Sequence, residues 1–384
     1  MILIQNAHIL PVIGEEIRNG CLLIDEGKIA GIGESLSYPS SAEIIDAGGR
    51  LLTPGCIDAH CHIGLDNEAM GWEGADYNEI IDPITPQMRA IDSINPLDEA
   101  FPNALRGGVT TACTGPGSAN VVGGTFAVIK LSGKRVDKMI LKNPAAMKCA
   151  FGENPKNCYG RDGRKAPMTR MGTAALLREL LYKTKNYYEE KQSGKNPSFD
   201  MKLEAMIPVV SGEIPMKCHC HRADDILTAI RIAKEFELNI TLDHCTDGEL
   251  IADELAEEKF PVLVGPSLGH KSKIELAHKS FTTPGTMMRA GLLVCIITDA
   301  PVIPLQYLPM CAGLAVNSGM DPKEAWKAIT INPARVLGVD DRVGSLEIGK
   351  DADLVIWTKN PLENIGGEAS LTMLDGKTVY RKNA

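Results

Sequence analysis

Short apolar runs broken by Gly, Pro, Asn and Asp recur along the whole chain, and their spacing changes twice. Residues 1–12, 21–32 and 42–46 are β-type runs separated by small polar residues. The last forty residues repeat this texture. Apolar residues 353–357 and 371–374 are followed by Asp375-Gly376, a hairpin turn signal, and then by residues 378–381. Between the two ends lie eight β-type runs, at 56–59, 109–114, 127–131, 145–151, 215–220, 239–244, 260–265 and 292–298. Helical patterns lie between many of them. Residues 224–236 carry Ile226, Leu227, Ile230 and Ala233 at helical spacing, and 248–258 carry Leu250, Ile251 and Leu255. This alternation predicts an α/β chain with a (β/α)8 TIM barrel, and a doubly wound sheet is the alternative. The two ends predict one small β-sandwich domain, residues 1–53 plus 343–384, leaving 54–342 as the barrel. The polar stretch 187–199 reads as a surface excursion, and 65–96 as a long loop at the barrel mouth.

Composition narrows the class. The chain has 384 residues, 44% hydrophobic and 23% charged, as expected of a globular protein. A net charge of −9 argues against a nucleic-acid or anionic-membrane surface. No apolar run approaches the ~20 residues that span a bilayer. The first residues lack the charged region and cleavage site of a secretory signal. Eleven cysteines without a small-scaffold spacing read as free thiols, and together these features predict a cytoplasmic protein. The apolar stretch 302–316 is either buried or part of a homo-oligomer interface.

Candidate chemistry gathers where the predicted strands end. His60-Cys61-His62 closes the first, and i, i+2 positions on a strand face the same side, so both imidazoles are spaced to share a metal ion. His219 and His221 end the fifth strand and His244 the sixth. His270 lies in the loop after the seventh, and Asp299 ends the eighth. Six of the eight histidines therefore fall at one end of the predicted barrel. Imidazole and carboxylate suit zinc and related ions, with Fe, Mn, Co or Ni as alternatives. A hydrolytic metal brings the pKa of water toward ~7, and an adjacent carboxylate can move the proton. Each residue has a structural alternative: a core histidine, a loop histidine at 270, or a helix-capping aspartate at 299. Cys61, Cys218, Cys220 and Cys245 alternate with the histidines and should face the helix layer as packing residues.

The motifs resemble those of the amidohydrolase superfamily. Residues 53–62, Thr-Pro-Gly-Cys-Ile-Asp-Ala-His-Cys-His, are similar to its first-strand signature. Residues 107–111 are similar to its second-strand approach, and 332–338 followed by 344–355 to its C-terminal signature. Within the superfamily the chain resembles the imidazolonepropionase-like and prolidase-like members. The resemblance implies a metal-dependent hydrolase of cyclic or peptide-like amides, with His60, His62, His219 and Asp299 as ligands. His244 would bind a second metal or contact substrate. Lys148 sits where binuclear relatives place a carboxylated lysine, and Glu153 is the competing fourth-strand ligand. Arg222, His221 and His270 are candidate substrate contacts, while Arg161, Arg164 and Arg170 read as solvated charges.

The expected reaction is attack of metal-activated water on a small-molecule amide carbonyl. His244 would help polarise that carbonyl, and Asp299 would shuttle the proton. Deamination of an amino-substituted ring is the alternative, and a non-catalytic binding scaffold ranks below both.

Overall fold

In the computed structural model, which describes residues 1–382, two eight-stranded sheets organise the chain. Strands β1 (Ile2–Ile9), β2 (Ile17–Asp25), β3 (Lys28–Gly33), β4 (Glu43–Asp46) and β5 (Leu51–Pro54) come first. Strands β6 (Cys56–Cys61), β7 (Val109–Thr114), β8 (Val122–Lys130), β9 (Ile140–Ala150), β10 (Met216–Cys220), β11 (Ile240–His244), β12 (Val262–Val264) and β13 (Val294–Ile296) form the second sheet in that order. Strands β14 (Leu354–Trp357), β15 (Ala369–Leu374) and β16 (Lys377–Arg381) rejoin the first sheet.

The chain ends meet where β5 pairs antiparallel with β14. That edge-to-edge pairing joins strands from both chain ends into one hydrogen-bonded sheet, β16-β15-β14-β5-β1-β2-β3 with β4 beside β1. Ile4, Ile9, Leu22, Leu52, Leu354 and Met373 share its core.

In the second sheet, nearly every strand residue is buried, as strands covered on both faces must be. β13 returns to β6 and nearly closes a barrel. His62 N donates to Ala300 O at 2.7 Å, and the Asp58 carboxylate accepts from Thr298 N and Oγ1 across the seam. Helices α1 (Ala100–Arg106), α2 (Arg170–Gln192), α3 (Met201–Val210), α4 (Ala223–Phe236), α5 (Ala252–Glu258), α6 (Thr283–Arg289) and α7 (Leu308–Asn317) surround it. Helix α4 shows why: Ile226, Ala229, Ile230 and Ala233 form one buried stripe against the strands. Two further helices follow, α8 (Pro322–Ala328) and α9 (Ile331–Leu337). Ile331, Ala334 and Leu337 of α9 pack with Ile57, Phe126, Leu263 and Ile297.

Strict strand–helix alternation fails at the third strand. β8 runs antiparallel to both β7 and β9. Only Gly115–Val121 separates β7 from β8, too short for the dozen-residue crossover that parallel neighbours need. The predicted excursion also starts later than expected, because Tyr187 lies within α2 and is buried. Most of the stretch 302–316 is buried, with Leu308, Cys311, Ala312 and Ala315 in the core. Among the described residues, no helix is long and apolar enough to cross a membrane.

The Trp357 ring holds the barrel against the first sheet. Trp357 Nε1 donates to Thr53 Oγ1 at 2.8 Å, and the Trp357 ring covers Gly108. A Cβ at Gly108 would lie 2.3 Å from that ring, and its φ of +75° independently favours glycine. Nearby, the Lys130 ammonium is held by Asp351, Asp353 and Asp375.

Candidate metal centre

The barrel places two groups of donors at the C-terminal ends of its parallel strands. The first is His60, His62 and Asp299; the second is His219, His221 and His244. Within the first, Asp299 Oδ1 lies 3.4 Å from His60 Nε2 and 3.2 Å from His62 Nε2. Lys148 Nζ is 3.1 Å from His60 Nε2. His244 and Asp299 both take left-handed backbone conformations, φ +74° and +55°. Such φ values are uncommon outside glycine and cluster at functional sites.

The other ring nitrogens explain the orientation. His60 Nδ1 is 2.6 Å from Asp243, and His62 Nδ1 is 2.7 Å from Gly115 O. His221 Nδ1 is 2.7 Å from Thr246 Oγ1, and His244 Nδ1 is 2.7 Å from Gly265 O. Donation from Nδ1 leaves Nε2 as the free lone pair, the arrangement that metal-binding histidines use. His244 Nε2 is buried without any hydrogen-bond partner. The donor set therefore fits a divalent ion.

The electrostatics keep these groups ligand-ready. Burial holds His60, His219, His221 and His244 below the usual histidine range, so they are neutral at neutral pH. Burial would raise Asp299, but His244, His60 and His62 outweigh it and hold the carboxyl well below the usual range. Burial pulls Lys148 down to about 8. Burial opposes ionisation of Asp243 too, yet Lys217 and His60 keep it well below the usual range. Asp58, which accepts from His60 N as well as from Thr298, is pushed up to about 6 by burial.

Several predicted residues sit elsewhere. Glu153 belongs to neither donor group, because it opens a short helical turn after β9 and its side chain is partly exposed. Arg222 does not line the site cavity; its guanidinium pairs with Asp224 at 2.9 Å just before α4. His270 is exposed on its loop and does not line the site cavity. His221 does line that cavity, beside His219. Arg161 and Arg170 pair with Asp162 and Asp225. Cys61 packs with Phe101 and Leu105, and Cys218, Cys220 and Cys245 pack with Ile226, Ile230 and Leu255.

Three buried residues escaped the sequence reading. Asp243 ties His60 to Lys217, whose Nζ lies 3.1 Å from the carboxylate. Asp243 immediately precedes a strand-end histidine, a signal that could have found it. Glu275, from the loop after β12, faces His219 and His221 at 3.8 and 3.7 Å.

A cavity of about 600 Å³ opens over the donors, lined by Tyr77, Asn78, Ser118, Asn154 and Lys273 among others. Tyr77 comes from the long loop after β6, and its ring lies 5.4 Å from that of His62. Trp72, from the same loop, is 89% exposed. The Gly-rich turn after β7 supplies the carbonyl that orients His62.

Comparison with known proteins gives concordant results. The model of the amidohydrolase family matches residues 212–379. A crystal structure of an amidohydrolase from Thermotoga maritima MSB8 superposes with a TM-score of 0.96 at 42% identity, covering 100% of both chains. The amidohydrolase tasK of Hapsidospora irregularis is 28% identical over 94% of this chain, which spans only 40% of that protein's length. An imidazolonepropionase from Fusobacterium nucleatum is 24% identical, covering 88% of this chain and 85% of its own.

Proposed function

Because the chain belongs to the amidohydrolase family, hydrolases that act on carbon–nitrogen bonds, we propose that it uses a divalent metal to hydrolyse a small-molecule amide, cyclic or peptide-like. The observation that carries this reading is the set of Nδ1 contacts that leaves the buried Nε2 lone pairs of His60, His62, His221 and His244 as donors in two groups, the first completed by Asp299. His60, His62 and Asp299 would hold the ion, with zinc the best match to the donors. A divalent ion so bound supplies Lewis acidity and makes water nucleophilic near neutral pH.

The chain's own residues do the rest. The Asp299 carboxylate, unprotonated at neutral pH, accepts the proton of the attacking water and returns it to the departing nitrogen. Lys148, with its pKa near 8, offers neutral amine whose nitrogen would add to the carbon of carbon dioxide and release one proton to solvent, giving a carbamate that would serve as an anionic ligand. Lys273, Asn154 and Tyr77 line the cavity and would orient the substrate.

The test pairs metal analysis of purified protein with a screen of cyclic amides and dipeptides, reading hydrolysis and ammonia release separately. Metal-dependent amide hydrolysis supports the proposal. Ammonia release from amino-substituted rings alone would replace it with deamination, and a protein that binds no metal would end it.

A further inference from the structure

A second cavity lies between α2 and α4, and its lining is basic in an otherwise acidic chain. Arg170, Arg178 and Arg231 line it against a single carboxylate, Asp225, while the whole chain carries a net charge of −9. Its volume of about 380 Å³ falls in the range of small-molecule sites. Among the described residues, it shares no lining side chain with the cavity over the metal donors.

The three guanidiniums are held in place with donors to spare. Arg170 Nε donates to Asp225 Oδ1 at 2.9 Å, Arg178 Nε to Glu235 Oε2 at 2.7 Å, and Arg231 Nη1 to Thr228 Oγ1 at 3.3 Å. Among the described residues these bonds use one nitrogen of each guanidinium, and Arg231 pairs with no carboxylate. A guanidinium is a planar fork of N–H donors, so the remaining nitrogens can serve a ligand. The Arg170 and Arg178 side chains are 31% and 30% exposed, reachable from solvent yet partly shielded from it. Partial shielding strengthens charge pairing. It also makes three neighbouring cations unfavourable until an anion joins them. Phe151, Met171 and Ala174 add apolar surface to the same cavity. The first turn of α2 adds the partial positive charge of its N–H groups.

We propose that this cavity binds a small organic dianion of the phosphate-monoester class. The phosphoryl oxygens meet Arg170, Arg178 and Arg231, and the organic part lies against Phe151 and Met171. A phosphoryl group offers three acceptor oxygens to the forks, and guanidiniums bind such oxygens in pairs. The site is separate from the metal centre and does not depend on the reaction assigned there.

The test is isothermal titration of metal-loaded protein with phenyl phosphate at fixed ionic strength, repeated after chelator treatment. Benzoate serves as the monoanionic probe. Wild-type protein should show a saturable phenyl phosphate site that survives removal of the metal and binds benzoate more weakly. Arg231→Gln should weaken that site by at least about tenfold. Arg231 has no carboxylate partner among the described residues, so its loss strands no charge, and thermal unfolding should be unchanged. Arg231→Lys should weaken binding less than Gln does. Lys234→Gln, which removes a cation of α4 that pairs with Glu258 and does not line the cavity, should leave binding as it was.

Absence of saturable phenyl phosphate binding overturns the inference. So does equal affinity in wild type and Arg231→Gln, or an equal loss in Lys234→Gln, which would mark a general charge effect. Binding that disappears with the metal places the probe at the metal centre and also overturns it. Benzoate bound as tightly as phenyl phosphate refutes the dianion class.

Discussion

Replacing Asp243 with Asn separates the two tasks of one buried carboxylate. Asp243 orients His60 through a 2.6 Å contact and neutralises Lys217 at 3.1 Å, with neither Asp243 nor Lys217 more than 1% exposed. Removing one partner of such a pair leaves an uncompensated buried charge, at a cost of about 3–5 kcal/mol. Removing the charged group that orients a ligand histidine weakens metal binding by about 10–100-fold. Denaturant unfolding of the metal-free protein measures the first effect, and metal titration the second. The double variant Asp243→Asn/Lys217→Met should recover most of the stability, because the stranded ammonium is gone. It should not recover the metal affinity, because His60 still lacks its carboxylate. The sign with pH is fixed as well. Asp243 ionises well below 3.8 in the folded protein, so its stabilisation is complete above 3.8 and fades as the pH falls further. The gap between wild type and Asp243→Asn should therefore narrow in acid. A loss under about 1 kcal/mol in the single variant, or full recovery of metal affinity in the double, would refute this account.

Three other perturbations probe separate parts of the molecule. Asp299→Asn should fold and retain much of its metal but lose at least about a hundredfold in kcat; near-normal kcat removes the proton-shuttle role. Lys148 ionises near 8, against 10.5 for a free lysine, so the folded state holds fewer protons between those values and stability should rise with pH across that window. Lys148→Met should flatten that slope in denaturant titrations, and reactivation of decarboxylated wild type by bicarbonate should quicken as pH rises through about 8. Lys130→Met strands Asp353, already pushed up to about 6 by burial, and should cost about 3 kcal/mol or more in an unfolding titration.

Local patterns in the chain carried much of the architecture. Paired histidines and strand-end positions are readable because side-chain direction follows backbone period. The strongly apolar runs of β6 to β13 marked strands buried on both faces. The reversal at β8 was not legible: the sequence placed that strand at 127–131, twelve residues after the second, whereas β8 starts at Val122 and leaves seven, too few for a crossover helix. Arg222 and His270 were placed by sequence adjacency to the site, but adjacency does not fix direction. Arg222 turns to Asp224 on its own helix, and His270 rides on an exposed loop. Glu275 could not be anticipated, because its approach to His219 and His221 depends on a loop folding back over Gly152.

The most direct test of the metal-dependent reading is anomalous scattering from crystals of protein purified without chelator and supplied with zinc. The account predicts a peak enclosed by His60, His62 and Asp299. Crystals with no anomalous density there would contradict it.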